Sequence, residues 1–239
     1  MTATTPPSQP PSQPPSQPPL TKLRLYLDTA DTEQWDVWLG SGIFYGVTTN
    51  PLLLERAQLP CTLEQLEQLA TKAFDLGMQE VQLQTWGGTV EAWIEHGQQL
   101  AAIDPRVVVK VPITRAGTTA AAQLMKTGVR ITLTGIYEVH QVLIGAALGA
   151  AYVAPYLGRI TDFGRNGRET IATMQQALEG VGSSTRILTA SIREIGDIAF
   201  LATQGLDTFT FSAKIAAQLF DVATTQRATA DFERAAHGS

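Results

Sequence analysis

Past residue 22 the chain alternates short apolar, β-branched runs with longer amphipathic stretches, and it does so eight times over. The strand-like runs are Leu23–Leu27, Gly46–Thr48, Glu80–Leu83, Val107–Val111, Arg130–Leu133, Ala151–Ala154, Arg186–Ala190 and Thr208–Phe211. Helical periodicity marks Leu63–Leu76, Val90–Ala101, Ala116–Lys126, Val139–Leu148, Glu169–Leu178 and Ile195–Thr203. Strands joined through helices run parallel, and eight such units close into a single-domain (β/α)8 TIM barrel of the α/β class. Gly77, Gly128, Gly149 and Gly205 fall just after helical runs, where helices commonly end. Phe220–His237 reads as one or two extra C-terminal helices, packed outside the barrel or crossing to a neighbouring subunit.

A barrel of this kind commonly occupies roughly 200–250 residues, so the 239 residues hold one such domain. Residues 1–21 form a separate Pro/Gln/Ser-rich tail, and residues 22–239 the catalytic barrel. Proline lacks an amide donor and the tail has almost no apolar side chains, so it cannot join a core. A polyproline II spacer is expected, although its PxxP spacing also fits an SH3-type ligand. It lacks the basic-then-apolar order of a secretory signal. A net charge of −5 without a basic block argues against nucleic acid. No apolar run approaches the ~20 residues of a membrane span. The lone Cys61 excludes an intramolecular disulfide and fits a cytoplasmic location. His96, His140 and His237 lack metal-ligand spacing, so neither a metal nor another cofactor is expected.

Lys110 lies inside Val107-Val108-Val109-Lys110-Val111-Pro112, a buried strand by pattern. Desolvation disfavours the ammonium form and makes neutral amine available. Such an amine can attack a carbonyl carbon to form a Schiff base, or it can serve in a structural ion pair.

Barrel active sites form at the C-terminal ends of the strands. Polar residues gather there on every strand: Asp28-Thr29, Thr48-Thr49-Asn50, Gln84-Thr85, Lys110, Thr132 and Thr134, Tyr156 to Arg159, Ser191 to Arg193, and Ser212. Asp28, Thr29 and Asp31 also suit the cap of a first helix, and Asn50-Pro51 a turn with proline at the first helical position. Arg159 and Arg193 would suit a phosphate, which guanidinium groups bind bidentately.

These segments resemble the transaldolase and fructose 6-phosphate aldolase family. The matching elements are Leu27-Asp28-Thr29-Ala30, Gly46-Val47-Thr48-Thr49-Asn50-Pro51, Val109-Lys110-Val111-Pro112, Tyr152 to Ile160 as YVAPYLGRI, and Ala190-Ser191-Ile192-Arg193. The resemblance implies that Lys110 is the Schiff-base lysine and Asp28 an acid/base residue. It implies that Asn50 binds substrate hydroxyls and the lysine amine, with Thr48 beside it as a substrate ligand. Arg159, Ser191 and Arg193 would hold the phosphate of a phosphosugar. A homo-oligomer, pentamer or decamer, is implied as well.

Within that family, transaldolases place Glu on strand three and Phe after the strand-six Pro; the aldolases have Gln and Tyr there, with a Thr on strand five. Gln84, Thr134 and Tyr156 form the aldolase combination, with Thr132 the alternative to Thr134. The resemblance thus implies cleavage and formation of fructose 6-phosphate from dihydroxyacetone and glyceraldehyde 3-phosphate. Its alternative is transfer of the dihydroxyacetone unit to erythrose 4-phosphate, a pentose phosphate pathway step. A non-catalytic barrel that binds a phosphosugar is a reading of another class. Arg130, at the start of strand five where many relatives carry Asn, points either to the opposite end of the barrel or into the site.

Overall fold

A computed structural model describes residues 21–238. The tail read in the sequence lies outside these residues, apart from Thr21. The eight strands are β1 (Arg24–Asp28), β2 (Gly46–Thr48), β3 (Glu80–Gln84), β4 (Val107–Pro112), β5 (Ile131–Ile136), β6 (Tyr152–Pro155), β7 (Arg186–Ile187) and β8 (Thr208–Phe211). Neighbours pair in parallel in the order β7-β6-β5-β4-β3-β2-β1-β8. Past the end of β7, Thr189 bridges to Phe209 and closes the ring: its N–H donates to Thr208 O at 3.0 Å, and Thr210 N–H donates back to Thr189 O at 2.9 Å. The fold is a (β/α)8 barrel.

The pleat sorts the strand residues into two buried sets. Outward-facing Leu27, Val47, Val81, Leu83, Val109, Ile131, Leu133, Val153 and Phe209 join the helices in one large core. The opposite parity, Tyr26, Val108, Tyr152, Ala154 and Leu188, forms a small separate apolar cluster inside the barrel. Each fully buried aliphatic side chain of the outer set contributes on the order of 1.5–3 kcal/mol.

Where the structure departs from the sequence pattern, local geometry explains it. β7 is shorter than Arg186–Ala190, because Thr189 and Ala190 make only isolated bridges, to Phe209 and Tyr156. β5 runs on to Ile136 through a bulge, where the pairing shifts register between Thr134 and Ile136 and Gly135 takes φ 79°. Helices Thr32–Trp38 and Pro51–Arg56 are too short to show periodicity, but their caps were readable. Asp31 accepts from Glu33 N–H and Asn50 from Leu52 and Leu53 N–H. The C-terminal segment forms helix Ala223–Ala236, preceded by a helix over Ala213–Gln218.

At the N-terminal end of the barrel a carboxylate is buried. Glu80, at the foot of β3, is 0% exposed. Its oxygens accept from Tyr26 Oη at 2.8 Å, Gln82 Nε2 at 2.9 Å, Arg130 Nη2 at 2.5 Å and Tyr152 Oη at 3.1 Å. Arg24 stands 4.0 Å away and also donates to Tyr152. Arg130 therefore points to the end of the barrel opposite the strand tips. Burial and the Glu80 charge push the Tyr26 phenol far above the ordinary tyrosine range, so it stays a donor. Glu80→Gln removes the charge that satisfies these groups and is expected to destabilise the protein by about 3–5 kcal/mol. The urea midpoint at fixed protein concentration measures this, and a loss under about 1 kcal/mol would show that the cluster is not held by its anion.

Candidate active site

At the C-terminal ends of the strands a cavity of about 320 Å³ opens, lined by Asp28, Asn50, Lys110, Tyr156, Arg159, Ser191 and Arg193 together with Arg56, Leu52, Leu53, Ala190, Ile192, Phe211 and Ser212. Seven of the ten residues singled out in the sequence thus share one space. Gln84, Thr134 and Thr48 stand behind it.

Lys110 is 3% exposed on β4. Burial pushes its ammonium below the ordinary lysine range, and the Asp28 carboxylate partly opposes this. Asp28, at the tip of β1, accepts from Thr48 Oγ1 at 2.6 Å. Thr48 registers directly opposite Asp28 and is fully buried. The resemblance implies Thr48 as a substrate ligand; in the structure its hydroxyl donates to Asp28, and it is not among the residues lining the cavity.

Asn50 shows how a cap and a ligand coincide. Its Oδ1 accepts from Leu52 N–H at 3.0 Å and Leu53 N–H at 3.2 Å, as the N-cap of helix Pro51–Arg56. The oxygen is therefore engaged, and the amide Nδ2 remains as a donor towards the cavity.

Tyr156 caps the end of β6. Its Oη lies 2.8 Å from Thr134 Oγ1. Burial raises the phenol above the ordinary tyrosine range and Asp28 adds to this, while the Thr134 hydrogen bond and the Arg159 charge oppose. The phenol keeps its proton. Thr132 is placed one layer lower, donating to Gln82 Oε1 at 2.8 Å, so the β5 hydroxyl at the strand tips is that of Thr134. Gln84 is half-buried at the tip of β3 and registers opposite Lys110.

The side of the cavity that carries Arg159, Ser191 and Arg193 is built from the segments following β6 and β7. The Arg159 guanidinium lies over the Tyr156 ring, 4.8 Å from its centroid, and donates to Tyr137 Oη at 3.3 Å. Arg193 is held in a bidentate pair by Asp162. Ser191 adopts φ 58°, a strained conformation for a residue with a Cβ, of the kind that concentrates at functional sites. In that conformation Ser191 O accepts from Gly158 N–H at 2.9 Å. A Cβ on Gly158 would lie 2.5 Å from that oxygen and 2.6 Å from Arg193 Nε, so only glycine lets the two loops close.

Tyr137 and Arg56 went unread in the sequence. Gly135 carries the signal for the first, since a glycine inside a strand marks a bulge and a re-aimed tip. Nothing in the sequence marks Arg56, because its place depends on how helix Pro51–Arg56 tilts over the mouth. Among the described residues no cluster of three His, Cys, Asp or Glu side chains stands where a metal would sit, and no helix is long and apolar enough to cross a membrane.

Comparison with known proteins identifies the relationship. A probable transaldolase of Caulobacter sp. (strain K31) is 32% identical over 210 residues, covering 88% of this chain and 94% of the relative. A probable transaldolase of Thermus thermophilus is 32% identical over 206 residues, covering 82% of this chain and 90% of the relative. Among solved structures, thiamine phosphate pyrophosphorylase from Pyrococcus furiosus superposes with a TM-score of 0.55 at 13% identity, over 80% of this chain and 86% of that one, a likeness of fold alone. The family model Transaldolase/Fructose-6-phosphate aldolase matches residues 25–238. The barrel, the lysine at the tip of β4 and these relatives agree: the chain belongs to the transaldolase/fructose-6-phosphate aldolase family, an enzyme of aldolase or transaldolase type.

Proposed function

We propose that the protein is a class I aldolase that cleaves and forms fructose 6-phosphate through a Schiff base on Lys110. The observation that carries this is a desolvated amine sharing one cavity with a protonated phenol, Tyr156, itself held by Thr134. Neutral Lys110 Nζ attacks the C2 carbonyl, and loss of water gives the iminium. Gln84 orients that water and lends no negative charge. Asp28 takes the proton of the C4 hydroxyl as the C3–C4 bond breaks, its electrons passing into the iminium to leave an enamine. Glyceraldehyde 3-phosphate departs from Arg159, Ser191 and Arg193, while Asn50 Nδ2 donates to a substrate hydroxyl. Protonation of the enamine by Tyr156 and addition of water release dihydroxyacetone and restore the lysine.

A second reading is favoured by the names of the relatives, which are probable transaldolases. In that reading the enamine waits for erythrose 4-phosphate. Purified protein incubated with fructose 6-phosphate alone is expected to release free dihydroxyacetone. Sedoheptulose 7-phosphate formed only when erythrose 4-phosphate is added, with no free dihydroxyacetone, would instead establish the transferase.

The nucleophile has its own signature in pH. Asp28 favours the charged amine, so Asp28→Asn should lower the pH at which Lys110 becomes reactive. The pH dependence of pyridoxal phosphate labelling followed by borohydride, with the labelled peptide identified, reads this directly. An unchanged or higher midpoint would show that the carboxylate does not act on the amine.

A homo-oligomer is part of the proposal. Helix Ala223–Ala236 has no buried residue, and Phe220 and Phe232 are 54% and 71% exposed. Sedimentation of the full chain is expected to show an oligomer that Phe232→Asp weakens; a monomer at micromolar concentration would remove this element.

A further inference from the structure

Among the described residues the hydrogen bond to the Asp28 carboxylate comes from a hydroxyl group. Thr48 Oγ1 donates to Asp28 Oδ1 at 2.6 Å, and the same Thr48 oxygen lies 2.6 Å from Thr210 Oγ1. Both threonines are 0% exposed and neither lines the cavity. A hydroxyl carries one proton. Since Thr48 directs its own to the carboxylate, Thr210 must be the donor in the second contact. The order Thr210 to Thr48 to Asp28 is therefore fixed while Asp28 is ionised.

The topology explains why these two strands supply the pair. β1 lies between β2 and β8. Asp28 registers on Thr48 of β2, whereas Thr210 of β8 registers on Tyr26, one inward position lower. The hydroxyls thus meet beneath Asp28 from both sides of its strand. Along Thr208-Phe209-Thr210-Phe211 the two phenylalanines belong to the outer core, which leaves the threonines facing inwards. Thr208 bonds at its own level with Arg186 and Asp207. For the Thr210 side chain, the contact with Thr48 is the hydrogen bond found among the described residues. Packing alone would be served equally by valine, which has the same shape, so the hydroxyl at 210 has its use in this chain of donors.

We infer that Thr210 is a positioning residue for the reaction, fixing through Thr48 the carboxylate of Asp28 so that one oxygen is engaged and the other is left for substrate. This rests on the reading of Asp28 as the acid/base group of the aldolase proposed above. Successive hydrogen bonds polarise one another, so loss of the remote donor weakens the near one without altering any group that touches sugar.

The test uses the full-length chain as wild type, Thr210→Val, Thr210→Ser, Thr48→Val and the double valine variant, with kcat and KM for fructose 6-phosphate. Thr210→Val is expected to lower kcat about tenfold, the scale of one hydrogen bond serving a charged group, with KM changed less than about twofold. Thr210→Ser should recover kcat to within about twofold of wild type. In the Thr48→Val background, Thr210→Val should cost nothing further, since its effect runs through Thr48. The inference is overturned if Thr210→Ser is as slow as Thr210→Val, if the valine variant loses thermal stability with kcat intact, or if its cost persists undiminished without Thr48. Should Thr210→Val fail to fold, Thr210→Ala set against Thr210→Ser gives the same comparison. Borohydride trapping of wild type tests the underlying reading on its own: without sugar-dependent labelling of Lys110 the aldolase reading fails, and this inference falls with it. Trapping in wild type combined with an indifferent Thr210 sinks the inference alone.

Discussion

Every second side chain of eight strands has to enter the interior of a closed barrel, where neither bulk water nor the outer core accompanies it. An all-aliphatic filling would meet that constraint with no chemistry. This chain uses polar groups that satisfy one another. Glu80, Gln82, Thr132, Tyr26 and Tyr152 are all fully or nearly fully buried, and each has a hydrogen-bond partner within the barrel. A buried group left unpaired would cost about 1–3 kcal/mol, so these networks are what make such a filling tolerable.

The layers keep two incompatible requirements apart. The cluster at the barrel's foot holds Arg24 and Arg130 with a carboxylate, whereas the strand tips carry a lysine whose ammonium form burial disfavours. Gln84 registers with Lys110, and Glu80 lies four residues earlier on the same strand, which at the strand rise is roughly 13 Å away. The small apolar cluster of Tyr26, Val108, Tyr152, Ala154 and Leu188 occupies the space between. The Glu80 charge is thereby kept from holding the Lys110 ammonium. The charge that does oppose its deprotonation is Asp28, tethered by a hydroxyl on its own side of the mouth. Desolvation prevails over that attraction and holds the Lys110 ammonium below the ordinary lysine range, with the Asp28 carboxylate lining the same cavity.

The strand and helix pattern was legible because burial on one face imposes a period, and all eight strands lie where the apolar runs placed them. Features without a period were harder to read. The bulge at Gly135 decides whether Thr132 or Thr134 reaches the mouth, and the run Arg130–Leu133 carries no count of residues that reveals an extra one. Arg130 was ambiguous for the same reason, since only its pairing with Glu80 assigns it to the foot of the barrel. The direction of Thr48 is likewise not given by its closeness to Asn50 in sequence: along β2 it faces Asp28 across the strand pair. Asn50 shows how a cap can also line the cavity, since its oxygen alone is used by the cap.

What distinguishes cleavage from transfer in such a site is the lifetime of the enamine. A donor beside its carbon shortens that lifetime, and a ring without a hydroxyl lengthens it. Here the Tyr156 proton is retained by burial, and the hydroxyl is fixed by Thr134 rather than left to rotate. The edge of the ring packs against Tyr137, 5.6 Å between centroids and nearly perpendicular, while Arg159 lies over its face. A phenol so constrained has few orientations, and its oxygen stays beside Thr134 on β5. Gln84 leaves the strand tips without the extra negative charge that a glutamate would bring. In the aldolase proposed here, both features would favour protonating the enamine before a second aldehyde can arrive. The relatives named probable transaldolases are 32% identical to this chain, and in the reading proposed here the choice between cleavage and transfer rests on Tyr156 and Gln84.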